Sequence, residues 1–353
     1  MGDKAYLILE DGTVFEGKAF GAKKEAVGEL VFTTSVIGYM ETLTDPSYFG
    51  QVVLQTFPLV GNYGVIPSDV ESGTPVLNAY VVRDWCQVPS NFRSDGELDT
   101  FLKTNNIPGL YDIDTRALTK IIREKGVMNC KLCYSLDNKE KDLEEIKAYE
   151  IKDAVKSVNP QGGEIDGKGE KTVVVWNFGM NHSIADSLAQ CGLNVKVVPA
   201  DTKAEDIASM NPDGVVLSDG PGDPAENTEI IEQVKILMDK NIPVMGVGLG
   251  HQLMALACGA KTEKLHYGHR GSSQPAKFSK NGRVYITSQN HGYTVKSETL
   301  PVYCKVVFTN SNDGTCEGIE YEGKNAFSVQ FHPSYADRCG TGFVFDMFKE
   351  MVG

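Results

Sequence analysis

The sequence predicts an α/β protein in which a small mixed α/β domain precedes a larger domain built on a mainly parallel sheet. Residues 1–130 alternate short apolar strands with turns, and from Thr172 onward apolar strands alternate with helical segments. Such alternation builds a parallel sheet covered by helices. Between them, residues 135–170 are first charged and then rich in glycine. We therefore place the domains at residues 1–134 and 171–353, with a charged helix and flexible linker at 135–170.

The amino-terminal domain contains predicted strands and two predicted helices. In the second helix, Thr115 is expected to cap the start and Gly126 to close the end. Leu118, Ile121 and Ile122 form its apolar face. The predicted strands are Ala5–Leu9, Val52–Thr56 and Ala79–Val82, and the predicted helices are Asp95–Thr104 and Thr115–Glu124.

In the carboxy-terminal domain, four short apolar runs, VVVWNF, VKVVP, GVVLS and PVMGVG, are each followed by a helical pattern. The carboxyl ends of such strands form the ligand-binding edge of the sheet. The helical patterns are Ile184–Gln190, Ala204–Met210, Glu226–Lys240 and His251–Ala257. Later segments are strand-like, namely Ala276–Phe278, Val284–Thr287, Lys305–Phe308 and Ala326–Gln330.

Charge and cysteine content exclude several classes of protein. The net charge of -13 argues against a surface for nucleic acid or anionic membrane. The start lacks a signal-peptide core and no apolar run approaches bilayer length. The eight cysteines are scattered, which indicates reduced thiols and a cytoplasmic protein. Cys130 and Cys133 form an isolated C-x-x-C, which we interpret as two neighbours on a strand.

The most informative segment is VMGVGLGHQ at residues 244–252. A buried strand runs through a glycine-rich turn directly into a helix, as in a nucleophile elbow. In such an elbow the tip residue presents its side chain to a pocket, and the helix start favours negative charge. Here the tip is Gly248, which keeps the turn but has no attacking atom.

The residues around Gly248 resemble those of a known family. GVGLGHQ matches the G-x-C-x-G-x-Q elbow of the class I (triad) glutamine amidotransferases, and SDGPGDP, QNHGY and FHP follow in that family's order. GELVFTTSVIGYMETLTDPSY and DIDTRALTKIIREKG resemble the amino-terminal domain of the small chain of carbamoyl-phosphate synthase. The resemblance covers essentially the whole chain, and it implies a flavodoxin-like carboxy-terminal domain.

The resemblance also implies an activity and a partner. In this family the small chain hydrolyses L-glutamine and passes ammonia to a large subunit, which makes carbamoyl phosphate for arginine and pyrimidine synthesis. ATP and Mg are expected only on that large subunit, so we expect no cofactor in this chain. The GPGDP turn is no P-loop, because no Gly-Lys-Ser/Thr follows it.

By resemblance, the site residues fall into two groups. The base is His332, and the oxyanion donors are the backbone N–H groups of Leu249 and Gly222. The positions of the triad nucleophile and of the residue that orients the base are occupied by Gly248 and Ser334. The residues implied to bind glutamine are Ser47, Gly220, Gly222, Leu249, Gln252, Asn290, Gly292 and Tyr293.

Two triad positions depart from the family pattern, which predicts that the glutaminase step is lost or severely impaired. Gly248 replaces the cysteine, and Ser334 replaces a glutamate that would stabilise an imidazolium. Asn177, Asp219 and Ser273 also depart from the usual residues. An engineered single substitution would leave the partners of the nucleophile intact, so these changes favour natural loss.

Other residues offer no replacement chemistry. Cys258 lies two turns down the helix after the elbow, and Cys339 has no elbow of its own. The histidines His251, His266 and His269 have no acidic neighbours at ligand spacing, so we expect no metal site.

Three functions therefore compete. The first is the small subunit of carbamoyl-phosphate synthase, in a heteromer with the large one. The second is a non-catalytic scaffold or regulatory subunit that still binds glutamine while the large subunit uses ammonia. The third, a glutaminase for another synthase, is disfavoured because the segments 28–48 and 112–126 are typical of the carbamoyl-phosphate synthase family alone.

Overall fold

Two units make up the chain, Met1–Lys152 and Asp153–Gly353. The computed structural model describes residues 3–158, 161–335 and 340–353. The division lies inside the segment that the sequence analysis assigns to a linker. The charged helix of that segment belongs to the first unit, and its glycine-rich part belongs to the second.

The first unit is built on a barrel. Its strands are β1 (Lys4–Leu9), β2 (Val14–Gly21), β3 (Ala26–Thr33), β4 (Gln51–Gln55), β5 (Leu59–Val60), β6 (Ala79–Val81), β7 (Asp84–Trp85), β8 (Pro108–Tyr111) and β9 (Met128–Cys133). Its helices are α1 (Tyr39–Thr44), α2 (Leu98–Thr104), α3 (Thr115–Lys125) and α4 (Lys139–Ala148). Seven strands close in the order β1-β2-β8-β6-β4-β3-β9. The barrel contains both parallel and antiparallel strand pairs, and helices connect some of its strands. The predicted mixed α/β character is therefore confirmed.

Two helices of this unit differ in detail from their prediction. Asp114, not Thr115, caps α3, because the Asp114 carboxylate accepts a hydrogen bond from the Ala117 N–H at 2.9 Å. Gly126 closes that helix as predicted. The charged helix α4 is docked on the barrel and is not a solvated linker helix. Its Ile146 is fully buried against Ile8 and Cys133.

The second unit carries the sheet that the strand–helix alternation predicts. Its strands are β10 (Gly163–Ile165), β11 (Thr172–Trp176), β12 (Asn194–Val198), β13 (Gly214–Leu217), β14 (Val244–Val247), β15 (Thr262–Phe278), β16 (Val284–Val295), β17 (Cys304–Asn310), β18 (Cys316–Tyr321) and β19 (Ala326–Val329). Its helices are α5 (Ala154–Ser157), α6 (His182–Gln190), α7 (Ala204–Ser209), α8 (Thr228–Met238), α9 (Leu249–Ala257) and α10 (Phe343–Val352).

The parallel part of this sheet has the order β12-β11-β13-β14-β19. This is the 2-1-3-4-5 order of flavodoxin-like proteins, so the predicted fold class is confirmed. Alternate residues of the strands pack on opposite faces. Trp176 and Leu217 pack with α7, α8 and α9, while Val175 and Val216 pack with α6 and α10.

The sheet extends beyond its parallel part on both sides. On one side β18, β17, β15 and β16 add antiparallel strands, and β15 with β16 forms a hairpin much longer than the predicted strands. On the other side β10 pairs with β12, so part of the predicted glycine-rich linker is an edge strand.

Two sequence predictions concern cysteines and membranes. Cys130 and Cys133 both lie on β9 and are buried, as two neighbours on a strand should be. The seven cysteines within the described residues form no disulfide. Among the helices of residues 3–158, 161–335 and 340–353, none is long and apolar enough to cross a bilayer.

Candidate functional site

Four neighbouring parallel strands end at one edge of the second unit's sheet. Strand β11 leads into Asn177, β13 into Ser218, β14 into Gly248, and β19 into the segment that contains His332. Because the carboxyl ends of parallel strands meet at the same edge, the predicted elbow, the SDGPGDP turn and the base are brought together.

Gly248 is the tip of a sharp strand-to-helix turn. Its backbone has φ 56° and ψ -111°, and α9 begins at the next residue. The Gly248 N–H donates a hydrogen bond to the Val329 carbonyl at 3.0 Å, which ties the tip to the neighbouring strand. An L-amino acid is strained in this conformation, whereas glycine is not. The strand-to-helix turn of a nucleophile elbow is therefore present, although its tip carries no nucleophilic side chain.

Gly250 lets the first turn of α9 press against the sheet. A Cβ on Gly250 would lie 2.3 Å from the Leu217 carbonyl oxygen and 2.7 Å from its carbon. The Gly250 N–H also donates a hydrogen bond to the Ser218 carbonyl at 2.9 Å. The start of the helix and the SDGPGDP turn are thus held together by backbone contacts.

Asp219 lies directly over the elbow tip. A Cβ on Gly248 would stand 2.9 Å from the Cβ of Asp219, so a side chain there would force a shift. Asp219 is 1% exposed, and its Oδ1 accepts a hydrogen bond from the Asn181 N–H at 3.2 Å. Its Oδ2 lies 3.4 Å from Nε2 of His332. A carboxylate therefore faces the predicted base.

The segment with His332 and Ser334 is positioned by its backbone. The His332 N–H donates to the Ser288 carbonyl at 2.9 Å. The Ser334 N–H donates to the Thr341 hydroxyl at 3.1 Å, and that hydroxyl lies 3.5 Å from the Ser334 carbonyl oxygen. Thr341 is fully buried, and sequence reasoning missed it because a lone threonine gives no pattern.

The predicted oxyanion donors lie at the start of α9 and in the SDGPGDP turn. Leu249 is the first residue of the helix, where backbone N–H groups have no partner within the helix. Gly222 has a φ of 89°. A Cβ on Gly220 would lie 2.9 Å from Cδ2 of Leu249, so the turn packs against the helix start. The role of Gly222 and Leu249 as oxyanion donors stays a prediction.

Gln252 connects the elbow helix to strand β16. Its Nε2 donates to the Tyr293 carbonyl at 2.8 Å and to Oε1 of Gln330 at 2.9 Å. Gln252 is almost fully buried, so its amide has a fixed orientation. Asn290 and Gly292 lie on β16 within three residues of Tyr293 and are half-buried. These predicted glutamine-binding residues are thus assembled around α9 and β16.

Ser47 lies in the first unit, in a short 3-10 helix at Pro46–Tyr48. The Ser47 N–H donates to the Asp45 carboxylate at 2.9 Å, which caps that helix. The part of Ser47 in binding glutamine stays a prediction.

A buried polar cluster supports the hairpin that carries Asn290 and Gly292. His269 lies 2.8 Å from Oδ2 of Asp313 and 3.4 Å from Oε1 of Glu317. The expectation that His269 has no acidic partner is therefore wrong, because both carboxylates are distant in sequence. The potential ligand atoms of His269, His291 and Glu317 lie within 4.8 Å of one another.

The cluster is held together by hydrogen bonds among its own side chains. The ring nitrogens of His291 lie 2.8 Å from the Tyr293 carbonyl oxygen and 2.9 Å from Oε1 of Gln289. Nε2 of Gln289 donates to Oε2 of Glu317 at 2.9 Å. We interpret the cluster as a structural support for β15 and β16, since its buried side chains hydrogen-bond to one another.

The cluster predicts a pH-dependent stability. Burial opposes the charged form of His269, but the contacts with Glu317 and Asp313 outweigh burial and raise the pKa of His269 above 6.5. A raised folded-state pKa stabilises the protein below about pH 6.5 and this stabilisation is lost as the pH rises through the folded value. The expected size is about 1.4 kcal/mol for each unit of the rise in pKa.

Urea unfolding of the natural protein and of His269→Gln at several pH values measures this effect. The difference in unfolding free energy between the two proteins should be largest near about pH 6 and shrink toward about pH 9. A difference that is constant or grows with pH would contradict the assignment.

The thiol of Cys258 lies far from the elbow tip. Cys258 follows the last residue of α9, roughly 15 Å along the helix from Gly248 at 1.5 Å per residue. A hydrogen bond from Cys304 lowers the pKa of Cys258 to about 7 against the opposing effect of burial. Cys258 is therefore too far along the helix to replace the missing nucleophile. Cys339 lies outside the described residues.

Comparison with known proteins supports the same assignment. Residues 7–132 match the family model of the carbamoyl-phosphate synthase small chain, CPSase domain, and residues 174–351 match that of the class-I glutamine amidotransferases. The carbamoyl phosphate synthase small chain of Clostridium perfringens is 46% identical over 352 residues, covering 98% of this chain and 99% of that protein.

Two further matches extend the comparison. The carbamoyl phosphate synthase pyrimidine-specific small chain of Halalkalibacterium halodurans is 46% identical over 334 residues, covering 94% of this chain and 91% of that protein. A glutamine amidotransferase structure from Thermotoga maritima has a TM-score of 0.39 at 18% identity, covering 51% of this chain and 83% of that one. On the near full-length identity and the two matched domains, the chain belongs to the carbamoyl-phosphate synthase small chain family, with a class I glutamine amidotransferase domain.

Proposed function

We propose that this chain is the small subunit of a carbamoyl-phosphate synthase whose own glutaminase step is lost, so that its large-subunit partner uses ammonia. The observation that carries the proposal is Gly248 at the tip of the elbow. Amide hydrolysis in this type of site begins with attack by a side-chain sulfur, and Gly248 offers none. Ser334 also lacks the charge that stabilises an imidazolium on His332. A site without its triad retains only the ~10³–10⁴-fold rate gain that binding and the oxyanion donors supply.

The test compares two nitrogen sources. The chain is purified with its cognate large subunit, and carbamoyl phosphate formation is measured with glutamine and with ammonium chloride. We expect activity with ammonium and essentially none with glutamine. The large subunit alone, assayed with ammonium, is the control for the contribution of this chain. Comparable rates with both nitrogen sources, or a covalent glutamyl adduct on the chain, would contradict the proposal.

A second candidate function is a scaffold or regulatory subunit that still binds glutamine. It is favoured by Gln252, whose amide is held by Tyr293 and Gln330 although no nucleophile remains to serve. Isothermal titration of the complex with glutamine tests it, with Gln252→Leu as the comparison. Binding that Gln252→Leu weakens supports this role, and no heat of binding in the natural complex rejects it.

The pathway and compartment belong to the same proposal. The name of the Halalkalibacterium halodurans relative points to pyrimidine synthesis for that protein. We propose that this chain acts in pyrimidine or arginine synthesis, in a cytoplasmic heteromer with its large subunit. The absence of disulfides among the seven cysteines in the described part of the chain agrees with a reducing compartment.

A further inference from the structure

Asp219 lies against the tip of the elbow. The Cβ of Asp219 lies 2.9 Å from the place of a Cβ on Gly248, well inside ordinary van der Waals contact. Ser218 fixes this position through its hydroxyl, which accepts a hydrogen bond from the Phe178 N–H at 2.9 Å and donates to the Asp219 carbonyl at 2.7 Å. The turn that carries Asp219 is thus held directly against the elbow tip.

Asp219 also faces the nitrogen that a nucleophile would use. Its Oδ2 is 3.4 Å from Nε2 of His332, and the carboxylate is 1% exposed. In a thiol-based site, that nitrogen has to accept the proton of the nucleophile. A buried carboxylate 3.4 Å from that nitrogen disfavours a second negative charge close by.

We propose that Asp219 is a positioning residue that keeps this site inactive independently of the missing sulfur. Its carboxylate faces the proton-accepting nitrogen of His332, and it opposes the formation of a thiolate at the elbow tip. The inference rests on the proposed function, since it concerns why the same site is silent. It adds that returning the sulfur alone does not return an activated nucleophile.

The test measures thiol activation and not glutamine hydrolysis. Gly248→Cys and Gly248→Cys/Asp219→Asn are alkylated with iodoacetamide near neutral pH, and modification is followed by mass spectrometry. Trypsin releases residues 241–261 as one peptide, so Cys258 in the same peptide is an internal reference. We expect the introduced thiol to react at least ~10-fold faster in the double variant, which corresponds to a thiol pKa lower by about one unit.

The matched control is Gly248→Cys/Asp186→Asn, which removes an exposed carboxylate from α6. Equal rates with and without Asp219→Asn would overturn the inference, and so would the same acceleration in the Asp186→Asn control. Because no arm depends on glutamine turnover, these results are distinguishable from failure of the proposed function.

A second measurement needs no new cysteine and remains informative if Gly248→Cys fails to fold. Diethyl pyrocarbonate modifies unprotonated imidazole nitrogens, and the exposed His182 serves as a reference. We expect His332 to be modified several-fold faster in Asp219→Asn than in the natural protein, because the carboxylate 3.4 Å from Nε2 is no longer there. An unchanged rate at His332 would overturn the inference.

Discussion

Glutamine hydrolysis is expected to return only when three positions are changed together, in Gly248→Cys/Ser334→Glu/Asp219→Asn. The cysteine supplies the attacking sulfur, and the glutamate orients His332 and stabilises its charged form. The asparagine removes the carboxylate that lies 3.4 Å from Nε2 of His332. We expect the triple variant to release glutamate from glutamine at least ~100-fold faster than the natural chain, since an intact triad contributes far more than that.

The matched comparisons isolate each step. Gly248→Cys/Ser334→Glu should restore a small part of the hydrolysis, and adding Asp186→Asn instead of Asp219→Asn should add nothing. Glutamate release is measured in the complex with the large subunit. If the double variant were already as fast as the triple, Asp219 would have no part in silencing the site. If all variants stayed silent, the changes at Asn177 and Ser273 would have to contribute.

Gly250→Ala is expected to lower the unfolding free energy by about 3 kcal/mol, against the usual trend for a helix. Alanine normally stabilises a helix interior relative to glycine by about 1 kcal/mol. Here the new methyl group would lie 2.3 Å from the Leu217 carbonyl oxygen. This oxygen belongs to the backbone of a buried strand, so it cannot easily move away. Helix α9 would have to move away from β13, and the packing between them would be lost.

Equilibrium unfolding in urea measures this loss. Gly163→Ala is the control, because a Cβ at Gly163 meets nothing within 4 Å. We expect that variant to differ from the natural protein by less than about 0.5 kcal/mol. If Gly250→Ala were more stable than the natural protein, the gain in helix propensity would outweigh the steric clash with Leu217, and the prediction would be wrong.

The sequence predicts the parallel half of the second unit well. Each apolar run there is a strand buried on both faces, and each following segment has a helical period, so type and order are readable. The prediction fails where pairing is decided by distant residues. The hairpin of β15 and β16 continues through QNHGY, whose polar side chains look like a loop. Gln289 and His291 of this run are buried, and Glu317 on β18 accepts a hydrogen bond from Gln289 at 2.9 Å.

In the first unit the sequence predicts strands and helices, but it does not predict that the strands close into a barrel. Strand β1 pairs with both β2 and β9, which completes the barrel, and no local pattern reports that pairing. Helix α4 misleads for a related reason. Its sequence is highly charged, yet Ile146 is fully buried, and the buried Lys131 on β9 holds Asp142 at 2.7 Å. A charged stretch at a domain boundary is therefore not evidence of a solvated linker here.

At the candidate site, the sequence alone predicts that the nucleophile position holds glycine. It does not predict which residues surround that glycine. Gly248 follows from the elbow pattern, and the resemblance of the FHP run to the family's motif points to His332. The contact between Asp219 and His332 joins residues 113 positions apart, from the ends of two strands that are not neighbours in the sheet. Thr341 is invisible for the same reason, because its hydroxyl acts on the backbone of Ser334.

The left-handed backbone of Gly248 also bears on how such a subunit evolves. A side chain at φ 56° and ψ -111° stores strain of about 1–3 kcal/mol, which glycine relieves. Once ammonia is supplied by other means, a mutation to glycine is rewarded by greater robustness while nothing selects against it. Under the proposed loss of glutaminase activity, the elbow would thus be an unstrained turn with a structural role.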